Sequence, residues 1–224
     1  MRKKIAIVIL TFNSEKTIKK TILASKKITK DIIIVDSNSK DKTTLICKKL
    51  KCKVLYRSFK NYSDQRNWII KKLNKKYLWQ LHLDADEELD IYAIKSINKI
   101  INKKNIQKKV FLIRRKYYFL GKKLNYTGLN EWHLRLFQSN TVTCEKRLYD
   151  QHFISNRKVY KINNGFMHDD DKLNLNQWKK KHIRWAELES RDLFYKNILK
   201  NKFSEKNDPR YKLRNSKILY YNFP

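Results

Sequence analysis

The stretch YLWQLHLDADEEL, residues 77–89, decides the fold. Its first seven residues are mostly apolar, and the run ends abruptly at Asp84, which opens an acidic group over residues 84–88. An apolar run of this length, bounded by charged residues, is typical of a strand that is buried on both faces. We therefore predict a strand over residues 77–83 that delivers several carboxylates to one end of a sheet.

Strands and helices are expected to alternate on the amino-terminal side of this strand. Three more apolar runs predict strands at residues 5–11, 31–36 and 53–56. Helices are expected at residues 14–27, 40–50 and 61–73, with a fourth after the acidic group up to about residue 101. Short links between such elements indicate an α/β fold with a mostly parallel sheet that helices cover on both faces. Ligands of such sheets bind at the carboxyl ends of the strands, where this sequence places its polar clusters.

The carboxyl-terminal half does not continue the alternation of strands and helices. We predict strands at residues 110–119 and 132–137, then a segment rich in Tyr and His, and finally a long basic amphipathic helix over residues 172–203. The expected domains are a main domain over residues 1–170, with halves at 1–105 and 106–170, and a helical extension over residues 171–224. No helix stop signal precedes the last residue, so we expect a shortened chain.

The composition narrows the class of protein. Apolar residues make up 41% of the 224 residues, and no apolar run approaches the ~20 residues of a membrane-spanning helix. The formal net charge is +32, but 41 of the 53 basic residues are Lys rather than the Arg that phosphate-reading surfaces favour. We therefore expect no specific nucleic-acid partner, although the field attracts anionic substrates and anionic membrane surfaces. The three cysteines have no zinc-ligand spacing and are expected to be reduced thiols of a cytosolic chain.

Asp84 and Asp86 form the main candidate site. Two carboxylates that lie two residues apart at a strand end can share one ligand, with one touching a ribose and the other a hard cation. Mg²⁺ and Mn²⁺ suit this arrangement because they prefer oxygen ligands and keep phosphate oxygens and water in their shell. Taken alone, the pattern also fits a solvated turn.

Further polar residues fall at the same predicted edge. Thr11, Asn13 and Glu15 close the first strand, where polar side chains and the amides of a helix start can hold a nucleobase and a ribose. Asp36 ends the second strand and can accept hydrogen bonds from a nucleotide, and Arg66 can meet a base or a diphosphate. The alternatives are helix caps and turns for the first two clusters and an exposed helical side chain for the arginine.

Four segments occur in a recognisable order along the chain. They are VILTFNSEKTI (8–18), IIIVDSNSKDKT (32–43), FKNYSDQRNWII (59–70) and WQLHLDADEEL (79–89). Together they resemble glycosyltransferase family 2, the inverting enzymes with the GT-A fold. Residues 114–121, 134–137 and 149–153 are similar to segments of the bacterial subgroup that adds sugars to lipopolysaccharide or lipooligosaccharide cores. The resemblance covers nearly the whole chain and implies a GT-A catalytic domain over residues 1–170 with a helical acceptor-side segment after it.

The resemblance implies a hexosyltransferase that takes a nucleotide-diphosphate sugar, with a UDP-sugar as the favoured donor. The nucleotide pocket would be lined by Thr11, Asn13, Glu15, Asp36 and Arg66.

The resemblance also implies a bound metal, Mg²⁺ or Mn²⁺. Asp84 would meet the ribose or the metal, and Asp86 would meet the metal. His168 would complete the metal shell, with a purely structural histidine as the alternative.

An inverting transferase also needs a base that removes the acceptor proton. The candidates are Asp150, Glu131 and Glu145, and we favour Asp150 because it follows the strand region where the acceptor pocket is expected. The subgroup commonly has His-Glu near this place. A second arrangement, with His152 as the base and Asp150 as its orienting partner, therefore stays open.

The expected acceptor is a glycan or a lipid-linked glycan, and the basic helix is expected to rest on the inner face of the cytoplasmic membrane. One alternative is a nucleotidyltransferase of related fold, which would need a Gly-rich phosphate loop where residues 11–14 have no glycine. The other is a non-catalytic basic module that binds nucleic acid or membrane, for which Asp84 and Asp86 would be dispensable.

Overall fold

A computed structural model of the chain describes residues 2–104, 106–125, 132–147, 151–170 and 172–198. The first half alternates strands and helices, as the sequence predicts. Its elements are β1 (Lys3–Thr11), α1 (Ile18–Lys26), β2 (Ile32–Asp36), α2 (Thr43–Lys49), β3 (Lys53–Tyr56), α3 (Tyr62–Asn74) and β4 (Tyr77–Asp84).

The second half is richer in strands and ends on a long helix. Its elements are β5 (Glu87–Leu89), α4 (Ile91–Asn102), β6 (Val110–Phe119), β7 (Lys122–Lys123), β8 (Trp132–Gln138), β9 (Thr143–Cys144), β10 (Phe153–Ile154), β11 (Val159–Asp169) and α5 (Leu175–Ile198). None of the helices in the described part of the chain is long and apolar enough to span a membrane.

Nine of the described strands form one sheet, in which eight follow the order β3-β2-β1-β4-β8-β6-β11-β5 and β7 pairs with β6, while β9 and β10 form a separate two-stranded sheet. The first four strands in this order run parallel to one another, and β6 runs parallel to β11. Strand β8 is antiparallel to both of its neighbours, and β5 is antiparallel to β11. The predicted fold class is confirmed as a mostly parallel sheet flanked by helices. The domain boundaries stay a prediction.

Alternate residues of β1 enter two different cores. Ile7 and Ile9 pack in a cluster with residues of α1, α2 and α4 on one face of the sheet. Val8 and Leu10 pack with Ile69 of α3 on the other face. Because both faces are covered, the strand reads as one continuous apolar run, and each fully buried aliphatic side chain contributes ~1.5–3 kcal/mol.

The helix starts show where local signals succeed and where they mislead. The Asn61 side chain accepts a hydrogen bond from the Asp64 N–H at 2.8 Å, so it caps α3 at the predicted start of this helix. The predicted start of α1 at Ser14 is wrong, because α1 begins at Ile18. The Ser14 hydroxyl donates to the Phe12 carbonyl at 3.1 Å, so its side chain serves the turn after β1 instead.

Strand β11 carries a bulge where it packs against the first turn of α4. Its register against β6 shifts between Ile162 and Phe166. Gly165 lies in this bulge with a φ of +95°, and a Cβ added there would lie 2.0 Å from the backbone nitrogen of Ala93. Only glycine allows this close approach of the two backbones.

Gly165→Ala is expected to destabilise the protein by ~3 kcal/mol or more, because the clash with rigid backbone adds to the strain of a positive φ. Gly121→Ala is the matched control, since Gly121 has a φ of +78° and nothing within 4 Å of an added Cβ. The control is expected to cost ~1 kcal/mol. Chemical denaturation measures both, and equal losses would contradict the proposed role of the bulge.

Candidate functional site

The loops that follow β1 and β2 are joined through Asp36. This residue is fully buried at the end of β2. One carboxylate oxygen accepts from the Thr11 hydroxyl at 2.8 Å and from the Ser39 hydroxyl at 2.6 Å, and the other accepts from the Ser39 N–H at 2.8 Å. Asp36 therefore holds the two loops at a fixed separation at the carboxyl edge of the sheet.

Asn13 and Glu15 continue this connection on the surface. The Asn13 side-chain oxygen accepts from the Lys40 N–H at 2.8 Å, and the Glu15 carboxylate accepts from the Lys42 N–H at 3.0 Å. Asn13 adopts a φ of 48°, a conformation that asparagine tolerates better than most residues. Four of the five residues predicted for the nucleotide pocket thus lie together on one polar rim, in which each side chain also bonds to the neighbouring loop.

Asp84 ends β4 beside this rim, opposite Leu10 in the register of β1. One carboxylate oxygen is bound by the Arg66 guanidinium, and the other accepts from Nη2 of Arg135 at 2.8 Å. Arg135 also binds the carboxylate of Glu87. The Asp84 side chain remains 40% exposed, whereas the side chains of Arg66, Arg135 and Glu87 are 10% exposed or less. A buried ionic network therefore supports a carboxylate that solvent can reach.

The charges of this network set the protonation of its members. Burial opposes ionisation of Asp84, but the guanidinium groups of Arg135 and Arg66 lower its pKa to about 2. Burial and the charge of Asp84 raise the pKa of Glu87, although Arg135 opposes the rise. Two acids and two arginines balance in formal charge, which is the condition for placing such groups in a protein interior.

Arg66 lies under the end of β4. Its Nη2 donates to the Leu83 carbonyl at 3.2 Å, its Nη1 lies 3.4 Å from Nδ1 of His82, and the residue is 4% exposed. Burial, and then the nearby arginines, lower the pKa of His82 well below its usual range, which favours a neutral ring. The guanidinium of Arg66, which the sequence predicts to face a nucleotide, is thus buried and contacts Asp84 from the interior.

Asp86 lies in the turn between β4 and β5 and belongs to a second group of polar residues. Its carbonyl accepts from the Asp170 N–H at 3.3 Å, and β5 pairs with β11 so that Glu88 lies opposite His168. These residues and Tyr118 line a cavity of about 320 Å³. Asp86 and His168, which the sequence predicts as metal ligands, therefore share one cavity, whereas Asp84 is held by the arginines.

His168 is held in place by the Tyr118 hydroxyl, which lies 2.7 Å from its Nδ1. Burial lowers the pKa of His168, against the opposing effect of the carboxylates of Glu88 and Asp90. In the tautomer whose Nδ1–H donates to the Tyr118 hydroxyl, Nε2 keeps its lone pair, which is the state that metal-binding histidines adopt.

The fit of a divalent cation depends on how many protein ligands it needs. Within the described ranges, no three side chains of His, Cys, Asp or Glu stand close enough together to hold an ion. Mg²⁺ commonly takes only one or two carboxylates and draws its other ligands from phosphates and water. Asp86 and His168 line the same cavity, so an ion there would need phosphate oxygens and water to complete its ligands.

Two of the four candidate residues for the base and its orienting partner, Glu145 and His152, belong to the described part of the chain. Asp150 and Glu131 lie outside the described residues. The His152 N–H donates to a carboxylate oxygen of Glu145 at 2.8 Å, and its ring stacks on His133 with centroids 6.0 Å apart. Glu145 therefore holds the backbone of His152 beside β9.

The sequence does not identify the partners that hold the site together. Arg135 and Glu87 are missing from the predicted site, and so is the pair of Arg115 and Asp169, whose atoms lie 3.1 Å apart. Burial and nearby carboxylates, Asp86 foremost, raise the pKa of Asp169 well above its usual range. A charged residue inside an otherwise apolar strand, as Arg135 is in β8, is the one signal that indicates such a role.

The comparisons with known proteins follow this geometry. Residues 6–160 match the profile of Glycosyl transferase family 2. The crystal structure of S. aureus TarS superposes with a TM-score of 0.53 at 17% identity, covering 75% of this chain and 36% of that one. S. aureus TarS 1–349 in complex with UDP gives a TM-score of 0.45 at 22% identity over 58% of this chain and 40% of that one.

A mannosyltransferase from Pyrobaculum calidifontis, PcManGT in complex with GDP-Man and Mn²⁺, gives a TM-score of 0.40 at 13% identity, covering 50% of this chain and 35% of that one. The chain thus spans less than half the length of each of these structures. No curated protein matches the sequence.

Arg135→Met is expected to destabilise the protein by ~3–5 kcal/mol, because it leaves Glu87 buried without its partner. The double variant Arg135→Met/Glu87→Met is expected to be more stable than this single variant, because Asp84 keeps Arg66. Denaturant titration measures both.

The control for this series is Lys3→Met, which breaks the exposed pair of Lys3 and Asp31 at 2.8 Å. It is expected to cost less than ~1 kcal/mol. A double variant that is less stable than Arg135→Met would contradict the interpretation of a balanced buried network.

Proposed function

Because the chain belongs to glycosyl transferase family 2, whose profile matches residues 6–160, we propose that it moves a sugar from a nucleotide-diphosphate sugar to an acceptor hydroxyl. One observation carries the proposal. The partly exposed carboxylate of Asp84 stands at the end of β4, next to β1 of the polar rim, and Asp86, two residues later, lines the neighbouring cavity. Such an edge can receive a nucleoside on one side and a diphosphate on the other.

The rim would hold the nucleoside. Asp84 accepts ribose hydroxyls through the lone pairs that Arg66 and Arg135 leave available, since each carboxylate oxygen can accept more than one hydrogen bond. The hydrogen bond between Thr11 and Asp36 fixes the spacing of the two loops, and Asn13 and Glu15 border the opening. We propose a uridine nucleotide as the donor, which follows from the family resemblance of these loops.

The diphosphate would lie over Asp86. This carboxylate and Nε2 of His168 would hold a Mg²⁺ or Mn²⁺ ion, which when bound offsets the charge that develops on the leaving diphosphate. Lys16 and Lys20 line the same cavity and add positive charge beside it. The chain's own contribution is to orient these groups before the donor arrives, through the contact of Tyr118 with His168.

The transfer is proposed to invert the anomeric carbon in one displacement. The acceptor oxygen forms a bond to that carbon as the bond to the diphosphate oxygen breaks, and the hydroxyl proton passes to a carboxylate. We propose Asp150 as this base, with Glu131 as the second candidate. In the other arrangement, His152 takes the proton and Asp150 orients it. Glu145 is a weaker candidate because its carboxylate already accepts the His152 N–H.

The acceptor is proposed to be a lipopolysaccharide or lipooligosaccharide core, or another lipid-linked glycan. Helix α5 supports a place beside a membrane, because its exposed Ile183 and Phe194 lie among basic residues. The basic residues are Lys179, Lys180, Arg184 and Arg191. Exposed apolar side chains with cations nearby are suited to an anionic lipid surface.

A screen of UDP-, GDP-, CMP- and dTDP-sugars with Mn²⁺ tests the donor site by thermal shift. A UDP-sugar with Mn²⁺ is expected to raise the Tm, because a ligand at 100 times its Kd adds ~2.7 kcal/mol to the stability of the folded state. Asp86→Asn is expected to remove the part of the shift that requires Mn²⁺. Asp31→Asn, at the opposite end of the sheet, is the control and should respond as the wild type does. No shift with any donor would overturn the proposal.

Asp150→Asn is expected to reduce transfer by ~10²–10⁴-fold, because general-base assistance is lost, while the donor-induced shift in Tm stays unchanged. Glu131→Gln and His152→Asn, assayed in parallel, assign the base by the largest loss of kcat. Wild-type turnover of Asp150→Asn would remove Asp150 from the reaction.

A further inference from the structure

A second cavity, of about 590 Å³, opens along the outer face of α3. Three parts of the chain form its walls: the loop after β3, the outer face of α3 and the segment after β9. We call this cavity the α3 groove. Among the residues that the structure describes, the α3 groove and the cavity at Asp86 share no lining residue, and none of those proposed for the donor lines the groove.

The α3 groove is strongly basic. Each of its three walls supplies cations, which are Arg57, Lys60, Lys71, Lys146 and Arg147. Asp64 is the acid among the lining residues, and its carboxylate lies 2.7 Å from Nη1 of Arg57. Among the described lining residues five are basic and one is acidic, so the lining favours an anion over a neutral ligand.

An aromatic ring lies within this positive surface. Trp68 lines the groove, with the Arg57 guanidinium 5.0 Å and the Lys72 ammonium 5.1 Å from its ring centroid. These cations hold the indole in place through its π face. A pyranose ring can contact the part of this indole that lines the groove, and inorganic phosphate cannot make such an apolar contact.

The wall after β9 links the groove to the acceptor side of the proposed site. Asn67 of α3 donates to the Cys144 carbonyl at 2.8 Å and accepts from the Cys144 N–H at 2.9 Å. The next residue, Glu145, holds the His152 N–H, and Lys146 and Arg147 follow directly. The segment that shapes the groove is thus the one that leads to the candidate bases Asp150 and His152.

We propose that the α3 groove binds a phosphate-bearing sugar of the acceptor, with Lys71 and Lys146 on the phosphate and Trp68 against the ring. The proposal rests on the proposed function, because it assigns the groove to the acceptor of that reaction. It predicts an enzyme that selects phosphorylated acceptors over neutral ones.

Calorimetric titration with glucose 6-phosphate tests the groove in the full chain. Lys71→Ala/Lys146→Ala is expected to weaken binding by about tenfold or more, because two charge-assisted hydrogen bonds are lost. The control is Lys95→Ala/Lys99→Ala on α4, which removes the same charge from exposed lysines outside the groove and should bind as the wild type does. Equal losses in the two double variants would overturn the proposal, since attraction would then follow net charge alone.

Trp68→Ala separates a sugar phosphate from free phosphate. It is expected to weaken glucose 6-phosphate binding while leaving the affinity for inorganic phosphate unchanged. The same loss of affinity for both probes would show that Trp68 does not contact the sugar ring and would overturn that part of the proposal.

Two further probes distinguish other sources of phosphate. The Lys71→Ala/Lys146→Ala variant is expected to bind phosphatidylglycerol vesicles and a 20-residue oligothymidylate as the α4 control does. A selective loss of either would assign the groove to lipid or nucleic acid instead. The Tm shift with UDP-sugar and Mn²⁺, measured on the same variants, separates the two proposals: a normal shift without groove binding removes only the groove assignment.

Discussion

The carboxyl edge of the sheet depends on one constraint, the clamp that Arg66 and Arg135 form on Asp84. These arginines come from α3 and β8, so the clamp ties a helix on one face and an antiparallel strand to the tip of β4. Buried charges are tolerated only when they are paired, and Glu87 completes the balance. Asp84 can therefore stand ionised at the surface with a fixed orientation, while Asp86, two residues later, faces a separate cavity.

The parallel part of the fold follows from local signals in the sequence. The apolar runs at β1, β2 and β4 mark strands buried on both faces, and the polar residues that follow them fall at one edge, as predicted. Strand β5 is missed because it has only the three residues Glu87–Leu89, too few for a periodicity to be recognised. The start of α1 is missed because Ser14 matches the composition of a cap, while its hydroxyl serves the turn.

The candidate site is predictable only in part, for a different physical reason. Asp84 and Asp86 are recognisable because these carboxylates directly follow the apolar run of β4 in the sequence. Arg135 lies 51 positions from Asp84, and only the antiparallel insertion of β8 between β4 and β6 brings it there. Sequence reasoning likewise assigns Asp36 to a nucleotide without seeing that the Ser39 and Thr11 donors already engage its carboxylate. Long-range pairing of charges is what a single sequence conceals.

The folded chain distributes its net charge of +32 unevenly. Many lysines lie on exposed helix faces, but those of the α3 groove surround a concave surface, and Lys16 and Lys20 border the cavity at Asp86. The central claim concerns the cavity at Asp86. A crystal grown with UDP and Mn²⁺ tests it most directly through the anomalous scattering of manganese. The account predicts a peak bonded to the Asp86 carboxylate and to the diphosphate, with the nucleoside between the loops after β1 and β2. A nucleotide bound elsewhere, or manganese that avoids Asp86, would contradict it.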